Sequence, residues 1–185
     1  MHEKVKWGQN FLVNVGVLEK IIELSNLTKD DCVIEIGTGL GHLTKYLSQS
    51  CWKVITFEID PNLYQKTFRS LSDLRNIVFF NQDFLQADLL QILNPYLKHP
   101  FKIVANIPYN ISTPVLFKIV QAPLPWKMMV IMVQKEFGQK IIAQPDDRRR
   151  VALSVVFQMR FQVQQCLEVS RGSFQPMPLV NSVVL

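Results

Sequence analysis

Asn106, Pro108 and Tyr109 fall together directly after the strand-like run Phe101 to Val104. An amide, a proline and an aromatic ring in close succession at the end of a buried strand make a pocket edge for a flat polar ligand. The amide oxygen of Asn106 and a backbone carbonyl, that of Pro108 or Ile107, can both accept hydrogens from one exocyclic amino group, while Tyr109 stacks on the ring that carries it. Two acceptors on one amino nitrogen favour its pyramidal form and aim its lone pair at an electrophile. Catalysis would then come from orientation rather than from a strong base. The competing reading is a proline turn with Tyr109 packed inward and Asn106 capping a helix.

A second group of residues suggests what would lie beside that ligand. Gly37-Thr38-Gly39-Leu40-Gly41 is a turn that lets backbone approach a ligand closely. Its G-x-G-x-G spacing departs from the dinucleotide fingerprint G-x-G-x-x-G, so a nicotinamide cofactor is disfavoured. Glu58 can accept from both hydroxyls of a ribose, and Asp83 from an adenine amino group. Acids at strand ends also serve as helix caps. Taken with the glycine turn, the two carboxylates describe an adenosine-containing cofactor that has no pyrophosphate.

The elements that must position these residues read as alternating helices and strands. Apolar positions from Val17 to Leu27 recur at helical spacing, Cys32 to Gly37 is a buried strand, and His42 to Ser50 continues as a helix. A second strand, Lys53 to Glu58, is followed by Pro61, which is suited to open the next helix. Asn76 to Phe80 is a third strand, Phe101 to Ala105 a fourth and Trp126 to Gln134 a fifth, the last apolar enough for the sheet centre. Thr113 to Gln121 and Lys135 to Ala143 are helical. Val151 to Phe161 fits a helix or a strand, Gln162 to Ser170 is a strand candidate, Gly172 to Pro178 is a constrained loop and Val180 to Leu185 a final short strand. The pattern predicts an α/β fold with a parallel, doubly wound sheet, in which ligands bind outside the carboxyl ends of the strands.

Bulk properties narrow the class further. A chain of 185 residues with 48% apolar content is one domain with a sizeable core. No apolar run approaches the roughly 18 residues of a membrane span, and the segment from His2 to Trp7 has neither an apolar signal core nor an arginine-rich leader. A cytoplasmic monomer with no membrane partner is expected. The three cysteines include no C-x-x-C pair, and the three histidines are scattered, so neither a disulfide framework nor a metal is predicted. A net charge of +5, with a local run at Arg148-Arg149-Arg150, makes a phosphate-rich partner plausible. Such a run can equally be a solvated loop.

Gly8-Gln9-Asn10-Phe11-Leu12, Glu35 to Gly41, Phe57-Glu58-Ile59-Asp60, Gln82-Asp83-Phe84, Asn106 to Pro114 and Phe174 to Val184 together resemble the ribosomal RNA adenine dimethyltransferase family. The early G-Q-N-F-L and the late F-x-P-x-P-x-V-x-S are the most specific of these. The resemblance implies a Rossmann-like class I methyltransferase fold with an antiparallel last strand, S-adenosyl-L-methionine as cofactor, and transfer of two methyl groups to N6 of adenosine in ribosomal RNA. By motif, Asn10 and Leu12 close over the cofactor, Gly37 lies beside its methionine part, Glu58 holds the ribose and Asp83 the adenine. Asn106 sits between cofactor and target, and Tyr109 and Phe174 stack on the extruded adenine.

Asn110 to Pro114 and Val133 to Glu136 place the chain nearest the small-subunit enzymes, which modify two adjacent adenosines near the 3′ end of an RNA in an immature particle. Alternatives are the large-subunit branch, which confers macrolide resistance, and a non-catalytic ribosome-assembly factor that keeps the pocket. Thr38 stands where small-subunit enzymes usually have proline, and Asp147-Arg148-Arg149-Arg150 replaces a segment that often carries Tyr-Gly. Family members usually continue past the last strand into a small helical domain, which is not among these 185 residues.

Overall fold

The computed structural model describes residues 9–185 of the chain. Its strands are β1 (Phe11–Leu12), β2 (Cys32–Ile36), β3 (Lys53–Phe57), β4 (Ile77–Phe80), β5 (Phe101–Asn106), β6 (Trp126–Gln134), β7 (Leu167–Val169), β8 (Phe174–Gln175) and β9 (Ser182–Val184). Between them run α1 (Val15–Ser25), α2 (His42–Ser50), α3 (Pro61–Ser70), α4 (Leu89–Leu93), α5 (Ser112–Gln121), α6 (Lys135–Ile141) and α7 (Ala152–Gln158).

Seven strands form one sheet in the order β4-β3-β2-β5-β6-β9-β7. The pairings of β2 with β3 and β5, of β3 with β4 and of β5 with β6 are parallel, whereas β9 is antiparallel to both β6 and β7. The chain winds outward from β2 to β4, then crosses to β5 and winds the other way. The point of reversal therefore lies between the carboxyl ends of β2 and β5, where such sheets open a crevice.

All five residues of β2 are buried, because helices cover both faces of the sheet. Alternation divides them. Cys32, Ile34 and Ile36 belong to one core with Ile103, Leu116 and Phe157, while Val33 faces Leu18, Ile21 and Leu47 of α1 and α2. Local chemistry sets the helix ends. Asn14 accepts from the Val17 N–H at 3.2 Å, and Asp60 accepts from the Asn62 N–H at 2.8 Å with Pro61 in the first helical position.

Three sequence expectations change. β5, not β6, is the central strand of the seven. The apolar run of β6 is buried only from Val130 to Val133, where β5 and β9 flank it on both sides; Met128, before β9 begins, is 36% exposed. Val151 to Phe161 resolves as helix α7, since Leu153 and Phe157, four residues apart, both enter the core and the buried Ser154 hydroxyl donates to the Lys140 carbonyl at 2.6 Å. Within the loop expected at 172–178 lies β8, which pairs antiparallel with β1 in a separate two-stranded sheet.

Lys102 interrupts the apolar run of β5, and it is only 3% exposed. Its ammonium sits 2.9 Å from Asp31 Oδ2 and donates to the carbonyls of Ser25 at 3.2 Å and Asn26 at 2.5 Å. One cation thus neutralises a buried carboxylate and satisfies carbonyls at the C-terminal end of α1. Burial opposes the ionised Asp31, but the bonds from Lys102 and from the Thr28 N–H and hydroxyl outweigh it and hold the acid below its ordinary value. Its contribution to stability is therefore present at neutral pH and is lost as pH falls through that lowered value. Removing the cation alone would leave Asp31 buried and unpaired. Lys102→Met is expected to lower unfolding free energy in urea by about 3–5 kcal/mol, and the double change Lys102→Met with Asp31→Asn to recover part of that loss.

Candidate active site

At the reversal point the carboxyl ends of β2, β3 and β5, with the segment after β4, enclose a cavity of about 220 Å³. Its walls include Asn10, Gly37, Glu58, Asp83, Asn106, Pro108 and Tyr109, so seven of the nine residues singled out in the sequence meet in one place. Leu12 and Phe174 are not among its lining residues.

The glycine turn forms the floor. Gly37 and Gly39 have φ of +82° and +55°, in the left-handed region. A Cβ on Gly39 would lie 3.0 Å from the Phe11 ring, which packs onto the turn from β1. Glu58, 4% exposed, fixes the turn from the neighbouring strand: its Oε2 accepts from the Gly39 N–H at 2.8 Å and its Oε1 from the Asp60 N–H at 3.0 Å. Burial pushes the Glu58 carboxyl above its ordinary value, while these backbone N–H groups pull it back. Each oxygen takes one backbone N–H and keeps acceptor capacity. Asp83 Oδ1 caps the short helical turn Phe84–Gln86 by accepting from the Leu85 N–H at 2.8 Å, and the residue also lines the cavity.

The opposite wall is the Asn-Ile-Pro-Tyr edge. Asn106 caps no helix; its Nδ2 donates to the Asn10 carbonyl at 3.1 Å, which ties the amino-terminal segment across the cavity and leaves Oδ1 as the acceptor. The Pro108 carbonyl accepts from the Ile111 N–H at 3.1 Å and the Ser112 hydroxyl at 3.3 Å. Of the two carbonyls considered from sequence, that of Ile107 is therefore the freer. The Tyr109 hydroxyl is bonded to Ser182 Oγ at 2.7 Å, which pins its ring between β5 and β9. Burial raises its pKa and the Ser182 bond lowers it, with a net rise.

Phe174 is 4% exposed and packs with Leu12, Leu18 and Val184, because its pairing with Leu12 in the β1–β8 ladder turns the ring into the core beneath α1. In this arrangement its ring stands in that core and outside the cavity lining, which corrects the placement expected from the sequence. Leu12, 5% exposed, lines a smaller adjoining cavity with Gly37, Thr38 and Glu35, and its carbonyl bonds His42 Nδ1 at 2.9 Å. Of the basic run, Arg149 clamps Asp147 and Arg150 bonds the Ala143 carbonyl and Gln158, so two of the three arginines hold their own loop.

The family model for ribosomal RNA adenine dimethylase matches residues 1–185. The chain belongs to the ribosomal RNA adenine dimethylase family. It is 39% identical over 184 residues to the ribosomal RNA small subunit methyltransferase A of Latilactobacillus sakei, covering 98% of this chain and 62% of that protein. It is 38% identical over 186 residues to that of Streptococcus gordonii, covering 98% and 63%. The chain thus spans under two thirds of the length of these relatives. Among solved structures, a dimethyladenosine transferase from Plasmodium falciparum matches with a TM-score of 0.84 at 32% identity over 94% of this chain and 61% of that one. The 23S rRNA methyltransferase ErmE matches at 0.80 and 31%, over 95% and 68%. A SAM dependent methyltransferase from Aquifex aeolicus, 15% identical with a TM-score of 0.54 over 90% and 87%, shares the fold.

The fold of this adenine dimethylase family member is accordingly the Rossmann-like fold of class I methyltransferases, and its cavity suits an adenosyl cofactor. Glu58 keeps acceptor capacity at both oxygens, Asp83 keeps an oxygen not used in capping, and the turn at Gly37 stands close against the opposite wall, where an added Cβ would lie 3.5 Å from the Pro108 ring.

One residue of the site escaped the sequence reading. Glu35, 1% exposed, accepts at Oε2 from the hydroxyls of Thr44 and Thr56, both at 2.7 Å. Because the Thr56 hydrogen goes to Glu35, Thr38 donates to Thr56 Oγ1 at 2.6 Å. Proline at position 38 would remove that bond and the Thr38 N–H bond to the Phe57 carbonyl at 3.2 Å. An acid in a run of buried strand residues was the available signal. Burial pushes the Glu35 carboxyl up to about 8 against the pull of its two threonines. The folded state thus favours the protonated acid, and stability should fall as pH rises from the ordinary value of 4.5 to about 8. Thermal unfolding midpoints followed across that window should decline in the wild type and flatten in Glu35→Gln; parallel profiles would reject the assignment.

Proposed function

We propose that this chain carries the catalytic domain of an S-adenosylmethionine-dependent methyltransferase that dimethylates N6 of adenosine in small-subunit ribosomal RNA, at two adjacent adenosines near the 3′ end. The observation that carries the reading is the meeting, in one cavity, of the Asn106 amide and the Ile107 carbonyl with the strand-end carboxylates Glu58 and Asp83. The names of the relatives support the small subunit as the target, and family membership supports the cofactor.

When bound, S-adenosylmethionine supplies an electrophilic methyl group on a sulfonium. Glu58 would accept from the ribose hydroxyls and Asp83 from the adenine amino group of that cofactor, and Gly37, Asn10 and Leu12 would help to hold it. On the substrate, Asn106 Oδ1 and the Ile107 carbonyl would accept the two hydrogens of N6 before the first transfer and share the one that remains before the second; each transfer breaks the sulfur–methyl bond, forms the N6–methyl bond and releases one N6 proton to solvent. This acceptor pair leaves the nitrogen lone pair directed away from the ring plane, which is a positioning effect and needs no strong base. Pro108 sets the backbone of the edge, and Tyr109, held by Ser182, offers its face to the extruded base. Phe174 takes no part in stacking. The few kcal/mol needed to unstack the adenine are offset by Tyr109 and by the bonds to N6.

Transfer of tritiated methyl groups to immature small-subunit particles, large-subunit RNA and free adenine-containing RNA tests the reading. Transfer to the small-subunit particles above the other two is expected, and preference for large-subunit RNA would favour the activity named for ErmE instead. Asn106→Ala should lose roughly 100-fold in transfer while binding S-adenosylhomocysteine as the wild type does; equal activity of the two proteins would sink the role of the amide. Glu58→Gln, which keeps the shape of the side chain and removes its charge, should weaken cofactor binding about tenfold by calorimetry. Unchanged affinity would reject the ribose assignment.

A further inference from the structure

Residues 176–181, between β8 and β9, leave one wall of the cavity and return to another. The loop begins after Gln175, the ladder partner of the cavity residue Phe11, and ends at Ser182, whose hydroxyl is 2.7 Å from that of the cavity residue Tyr109. Its stem is fixed: Asn181 accepts from the Arg171 N–H at 3.1 Å on its side chain and from the Lys135 N–H at 3.0 Å on its carbonyl. Pro176 and Pro178 restrict the backbone on both sides of Met177, and Pro178 is buried. Met177 and Leu179 therefore project from a stiffened loop, 59% and 91% exposed. Single exposed apolar residues are ordinary. Two of them, alternating with a buried proline on a loop whose two ends are both bonded to cavity walls, form an arranged feature. They occupy the unspecified positions of the F-x-P-x-P-x-V-x-S pattern, so that pattern does not account for them.

A base that leaves its stack to enter a cavity opens a gap between its neighbours, and apolar wedges such as Met and Leu are suited to enter a base step. We propose that Met177 and Leu179 form a wedge that enters the RNA base stack beside the target adenine and occupies the space the adenine vacates. This rests on the reading of the site as an RNA adenine methyltransferase, and it assigns the stacked neighbours of the target, rather than the target itself, to this loop.

The test uses an RNA hairpin carrying two adjacent adenines for methyl transfer, the same hairpin with 2-aminopurine, which lacks the N6 amino group, in place of one of them for fluorescence, and a short unstructured oligonucleotide carrying the same adenines. Wild-type protein should raise the 2-aminopurine signal of the hairpin. The double variant Met177→Ser with Leu179→Ser should lose that rise and lose at least about tenfold in methyl transfer to the hairpin, while staying within about twofold on the unstructured oligonucleotide and in S-adenosylhomocysteine binding. The apolar exchange Met177→Leu with Leu179→Met should keep wild-type behaviour, which separates apolar wedging from a fault in folding. A serine variant that still raises the signal, or that loses transfer equally on both RNAs, overturns the wedge, the second result pointing to a protein-facing or structural role for the loop. Wild-type protein that raises the signal yet methylates neither RNA contradicts the proposed reaction and leaves the wedge supported.

Discussion

The site rests on a carboxyl group that touches no expected ligand. Glu35 gathers the hydroxyls of Thr44 from α2 and Thr56 from β3, and through Thr56 that of Thr38 in the glycine turn. The glycine turn, α2 and β3 are thereby tied together by side chains, beside the backbone bonds from the Gly37 and Thr38 N–H groups to the Phe57 carbonyl. The turn is in turn bonded from β3, by Glu58 to the Gly39 N–H. Two buried acids thus clamp a backbone segment that has little side chain of its own to pack and whose left-handed φ values at Gly37 and Gly39 are ones that glycine adopts without strain.

The opposite wall is built on a different principle. Asn106, Ile107 and Pro108 expose acceptors because the strand ends there, and ladder bonding that would otherwise satisfy them stops. Which acceptor remains open is then decided by the short helical turn Tyr109–Ile111 and the start of α5: the Ile111 N–H and the Ser112 hydroxyl take the Pro108 carbonyl. The chemistry of the edge is a competition between a helix start and a ligand for the same carbonyls, and its outcome differs between two adjacent residues.

Much of this was legible in the sequence, for identifiable reasons. Continuous apolar runs separated by glycine and proline signals gave the strands from Cys32 to Gln134 within a residue or two, and the rule that ligands bind beyond strand ends grouped Gly37, Glu58, Asp83 and Asn106 before any contact was known. What was not legible depends on partners distant in the chain. Lys102 looks like an error in a strand until Asp31 and the end of α1 are placed around it. Phe174 sits in a motif that suggests stacking, yet a two-residue ladder with Leu12 turns it inward. No local pattern distinguishes a phenylalanine that faces a pocket from one rotated by a single strand register.

The position of β9 bears on when, as well as where, the cavity is completed. This strand follows β7 in the sequence, yet it is inserted between β6 and β7, and the hydroxyl of its Ser182 bonds that of Tyr109. During vectorial synthesis β2 to β6 can assemble in order as they emerge, but the edge of β6 stays open and Tyr109 stays untethered until residues 182–184 thread into place. The crevice that would hold a cofactor can therefore form early from sequential parallel units, whereas the wall proposed to grip a base is completed only once β9 is in place. A nascent chain of this protein would gain affinity for the small ligand before it gained competence toward the large one.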